Sequence, residues 1–110
     1  MAEQGSTVIV NADDYEVFMA IFPQGIQDRR SFRFKHFEKA MVGARFSIDR
    51  GTGNGPVRKF YLPNTIGGAP VNFHANHGQH ARDLDRHQVQ FIVKVLRKVY
   101  GWNSETFIVA

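Results

Sequence analysis

The chain has 110 residues, 43% hydrophobic and 22% charged, with no cysteine. That balance fits one folded domain with a single core, and it excludes both a disulfide scaffold and any thiolate-ligated zinc or iron–sulfur site. No apolar run approaches the roughly 20 residues of a membrane span. The opening MAEQGSTVIV lacks the basic and apolar regions of a signal peptide, so an intracellular, cytoplasmic protein with no membrane partner is expected.

The formal net charge is +4, but its distribution says more. All 14 Lys and Arg lie between Arg29 and Lys98, a window with four acids (Glu38, Asp49, Asp83 and Asp85) and hence a net charge of +10. Five of the other six acids precede it: Glu3, Asp13, Asp14, Glu16 and Asp28. An acidic N-terminal extension over residues 1–28 therefore precedes a basic body over residues 29–110. Such asymmetry points to a polyanionic partner for the body.

In chain order, Met1–Val10 reads as a lead-in with a short strand at Thr7–Val10. Asn11 is a helix N-cap, with Asp13 and Asp14 in the first turn where the dipole favours acids. Tyr15, Phe18, Met19 and Phe22 recur at helical spacing, so Ala12–Phe22 is predicted as an amphipathic helix that Pro23 and Gly25 end. A second helix is predicted over Phe32–Val42, with Ser31 as its cap and Gly43 as its C′ residue. Strict alternation predicts strands at Arg45–Asp49 and Val57–Leu62, and a third around Val71 and Phe73. The glycine loop Gly51–Gly55 joins the first two. Asp85 and Gln88 form a capping box for a long helix over Arg86–Tyr100, about 22 Å in length, with an apolar stripe of Val89, Ile92, Val93, Leu96, Val99 and Tyr100. Gly101 stops it, and Trp102 and Phe107 are expected to fold back over the core. The body thus reads α-β-β-β-α: an α+β two-layer sandwich with an extra N-terminal helix.

Three features could carry chemistry. The glycine loop joins two strands and opens no helix, so it matches neither a P-loop nor a dinucleotide fingerprint. The segment F-H-A-N-H at Phe73–His77, with His80 and His87 after it, is rich in imidazole. His74 and His77 are candidate catalytic residues, because neutral imidazole titrates in the range that moves the proton of a ribose 2′-hydroxyl. A zinc site needs four ligands, which an H-x-x-H spacing does not supply, so neither a metal nor a cofactor is assigned. The third feature is the set Arg58, Lys59, Arg82, Arg86, Lys94 and Arg97, with Lys98 beside it, expected to contact RNA phosphates. Lys94, Arg97 and Lys98 also complement the C-terminal end of the helix dipole.

The segments F-K-H-F-E-K-A-M (Phe34–Met41), A-R-F-S-I (Ala44–Ile48), G-N-G-P-V-R-K-F (Gly53–Phe60) and V-N-F-H-A-N-H (Val71–His77), with a basic helix ending in Y-G-W, resemble the HicA family of small toxins from bacterial toxin–antitoxin pairs. A variant branch of that family occurs in fungal proteins. The resemblance spans residues 32–107. It implies a fold like the double-stranded-RNA-binding domain, endoribonuclease action on messenger RNA, and an antitoxin-like protein partner. The toxins carry a catalytic histidine in a G-S-H segment of the second strand. Here Pro56 stands at the serine and Val57 at the histidine, so the resemblance implies RNA binding by a ribonuclease toxin or by a catalytically weakened relative of one; His74 and His77 are the candidate substitutes only because both are expected at the adjacent strand end. The alternative reading is a non-catalytic interaction or self-assembly module on the same fold.

Overall fold

The computed structural model describes residues 7–49, 57–64, 66–74 and 83–110. The glycine loop Gly51–Gly55, Pro56, His77, His80 and Arg82 lie outside the described residues. The architecture is mixed α+β: strand β1 (Val8–Val10), helix α1 (Ala12–Ile21), a 3-10 turn at Ile26–Asp28, α2 (Phe34–Gly43), β2 (Ser47–Asp49), β3 (Val57–Tyr61), β4 (Val71–His74), α3 (Arg86–Tyr100) and β5 (Phe107–Val109).

The expected antiparallel sheet is present in the order β2-β3-β4. Its register pairs Ile48 with Phe60, and then Phe60 with Val71 and Arg58 with Phe73. Phe60, Val71 and Phe73 are buried, while Asp49, Val57, Lys59, Asn72 and His74 are exposed, so one face of the sheet meets the core and the other meets solvent. A second, parallel pair joins β1 to β5, with Val8 opposite Phe107. The sequence shows no period long enough to announce β5, because three residues define no alternation on their own.

The N-cap of α1 is as expected: the Asn11 side chain accepts from the Asp14 N–H at 2.8 Å. Phe18 is fully buried and stacks on Phe107, centroids 4.1 Å apart, with Trp102 edge-on to both. Phe37, Phe60 and Phe73 form a second aromatic knot with centroids 5.2–5.5 Å apart. Phe46 meets Tyr100 and Trp102 edge-on, and all these rings except Phe73's half-exposed neighbour Phe91 belong to one continuous core. Trp102, at 1% exposure, lies where the tail was expected to fold back.

Helix α2 departs from expectation at both ends. Ser31 is not its cap and Phe32 is not helical. The Phe32 carbonyl accepts from the Leu84 N–H at 2.8 Å, and Arg33 bridges Asp83, so backbone pairing with a distant segment draws Phe32 and Arg33 out of the helix. Arg33 is the N-cap residue, and its N–H donates to His36 Nδ1 at 3.2 Å. At the other end Gly43 is inside the helix and Arg45 takes the left-handed C′ conformation, φ 77°. The N–H groups of Arg45 and Phe46 close back onto the carbonyls of Val42 and Met41, a Schellman ending. Arg45 therefore cannot begin a strand, and β2 starts at Ser47 rather than at Arg45.

Candidate nucleic-acid interface

Helix α3 is built by local chemistry. Asp85 Oδ1 accepts from the Gln88 N–H at 2.9 Å, and Gln88 Oε1 accepts from the Asp85 N–H at 2.8 Å, so two orphan donors of the first turn are satisfied reciprocally. Gly101 ends the helix with φ 70° and donates to the Arg97 carbonyl. Ile92, Leu96 and Tyr100 are buried. The Tyr100 hydroxyl donates to the Ala69 carbonyl at 2.6 Å, and burial pushes its pKa up to about 12. That bond ties the end of α3 to the loop that leads into β4.

The opposite face of α3 carries the charge. Arg86, His87, Lys94, Arg97 and Lys98 are all exposed, and no acid occurs between Arg86 and Tyr100. The Arg97 guanidinium lies 5.9 Å from the ring centroid of Phe22, which holds the end of the stripe against α1.

The structure divides the other expected cations. Arg58 lies in strand register with core-facing Phe73 and forms a half-buried pair with Glu38, Nε to Oε2 at 3.2 Å. Lys59 is on the solvent face of the sheet, 5.2 Å from the Tyr61 ring centroid. Its register partner is Asn72 of β4. Arg86, Lys94 and Arg97 thus lie on α3, Lys59 on the sheet, and Arg58 in an ion pair.

Between β4 and the start of α3 lies a cleft of about 380 Å³. Phe34, Phe73, Leu84, Phe91 and Ile92 make its apolar walls, and Asn72, His74, His87 and Gln88 its polar ones. His74 is directly cross-strand from Val57, so their Cβ atoms are about 5 Å apart. A second groove of about 650 Å³ is lined by Arg29, Arg30, Leu84, Asp85 and Arg86 among others. Leu84 belongs to both. Arg30 there pairs with Glu16 at 2.9 Å. Among the described residues no three His, Asp or Glu side chains are grouped to hold a metal ion, and no helix is long and apolar enough to cross a membrane.

Sequence reasoning missed Phe91, Asn72 and Arg29 as site residues. Phe91 did carry a signal: it falls off the apolar stripe of α3 and is 54% exposed. Asn72 and Arg29 carried none, since only the folded chain brings them beside α3. Neither a scan against protein-family models nor searches of curated proteins and of solved structures found a match to this chain.

Proposed function

We propose that this chain is an RNA-binding domain with a HicA-like, double-stranded-RNA-binding-domain-like layout, and that the solvent face of α3 grips the phosphates. The observation that carries the reading is the acid-free cationic face of Arg86, Lys94, Arg97 and Lys98. The order of one helix, three antiparallel strands and a second helix supports the layout. Phosphate contacts release condensed counterions, so affinity falls with salt; four cations on a single strand give a log–log slope of about −3.

One further observation favours strand cleavage. His74 is the cross-strand partner of Val57, the position at which the resemblance implies the missing imidazole. In this reading neutral His74 takes the proton of a ribose 2′-hydroxyl. The 2′-oxygen attacks the adjacent phosphorus, the bond to the 5′-oxygen breaks, and that oxygen leaves with a proton from His87 in the same cleft. A 2′,3′-cyclic phosphate and a 5′-hydroxyl result.

The test is RNA binding and cleavage by the wild type and by His74→Ala at two salt concentrations. The expected outcome is cleavage by the wild type, its loss in His74→Ala, and the same salt slope in both. Binding without cleavage by the wild type overturns the catalytic half. Absence of binding at physiological salt overturns the whole, and leaves the protein-interaction module as the better account.

A further inference from the structure

We propose that the cleft between β4 and α3 is a receptor for one unstacked nucleobase of single-stranded RNA. The inference rests on the RNA-binding reading above and specifies what the site takes. The cleft's volume, about 380 Å³, is at the lower end of the roughly 300–1,000 Å³ that hold small ligands. Its chemistry is divided as a base is divided, with an apolar face and a polar edge.

Phe91 supplies the face. Its ring is edge-on to buried Phe73, centroids 6.1 Å apart and planes at 87°. That contact supports the ring and leaves more than half of the residue exposed. The core does not require it: the apolar stripe of α3 runs through Ile92, Leu96 and Tyr100, and Phe91 stands among the cations. An aromatic ring at the rim of a basic surface is the feature on which unpaired bases stack.

The polar edge comes from Asn72, His74, His87 and Gln88. The Oε1 atom of Gln88 is engaged by the Asp85 N–H, which turns its amide nitrogen into the group left for donation. Asn72 offers both a donor and an acceptor. These are the groups that hydrogen-bond a base along its Watson–Crick edge.

The phosphate chain has a path out. Leu84 borders both the cleft and the neighbouring groove, where Arg29 and Arg86 lie. Arg86 and His87 are consecutive on α3, so a base seated beside His87 brings its phosphate toward Arg86. A peptide would need acidic groups to answer these cations, whereas a nucleotide carries its phosphate and a hydrogen-bonding edge together. A base inside a duplex is stacked and paired, and cannot enter.

The experiment measures the affinity of the full chain for three probes of equal length at physiological salt: a single-stranded RNA, the same ribose-phosphate strand without bases, and a duplex. The base-bearing strand is expected to bind about 5- to 150-fold more tightly than the abasic one, the worth of a single stacked base. Phe91→Ala should abolish that ratio and Phe91→Trp keep it, with the circular dichroism of both unchanged. Equal affinity for base-bearing and abasic strands overturns the receptor and leaves the RNA-binding reading standing, as does preference for the duplex. Binding to none of the three overturns both.

Discussion

Three residues around one helix end show how a single contact redistributes roles. Gly43 stands in the last turn of α2, where a Cβ would collide with the Asp14 carboxyl of α1. The glycine is therefore spent on a close approach between helices, and the left-handed C′ position falls to Arg45, which bears it less well. Arg45→Gly is expected to stabilise the protein by about 1 kcal/mol, measured by denaturant unfolding. Gly43→Ala is expected to cost about 1–3 kcal/mol, and much less in an Asp14→Ala background; equal costs in the two backgrounds would refute the collision. Asp14 itself is 3% exposed. Burial raises its pKa; Lys39 pulls the value down, and Asp13 adds to the rise. A carboxyl whose folded pKa is raised keeps its proton longer in the native state than in the unfolded chain. Stability is then fully present below the ordinary carboxylate range and is lost as pH rises through it. Asp14→Asn has no such proton, so its melting temperature should exceed that of the wild type near neutrality, with the gap closing in acid.

At the scale of elements, α3 and α2 differ in how far their sequences announce them. Both limits of α3 are local: the Asp85–Gln88 box and the αL glycine act within one turn, and Arg86–Tyr100 is legible from side chains alone. The limits of α2 depend on partners far along the chain. Leu84 and Asp83 claim the backbone of Phe32 and Arg33, and Asp14 claims Gly43, so neither boundary is present in the local code. Alternation located β3 and β4 correctly, because a sheet with one wet face must write its burial into the sequence. The cations of β3 and α3 were equivalent as residue types, and only the fold sets them apart. Lys94→Ala is therefore expected to reduce the salt slope of RNA binding by about 1, and Arg58→Ala, whose guanidinium is held by Glu38, to reduce it by less. Equal effects from the two would place the RNA elsewhere.

At the scale of the molecule, the N-terminal segment is more than an acidic surface. Phe18, Met19, Ile21 and Phe22 are buried, and Phe18 is stacked between residues from the far end of the chain. Deleting residues 1–28 is expected to abolish cooperative thermal unfolding rather than to uncover a basic surface; a sharp melting transition in the truncated chain would refute this. Contact of the acidic side with the basic one is instead tested by Glu16, which holds Arg30. The cleft was the least legible part of the protein. It is assembled from Phe34, from β4 and from Leu84 to Ile92, and no pattern along the chain encodes that meeting.

The parallel pairing of β1 with β5 also constrains when the protein can become itself. The first strand must wait for the strand at Phe107–Val109 to be synthesised, and Phe18 waits with it for its stacking partner. Contacts of such long sequence separation are slow to form, because the whole intervening chain must be closed before they return any energy. Until then Phe18 of α1 lacks the rings of Trp102 and Phe107 that enclose it in the folded protein.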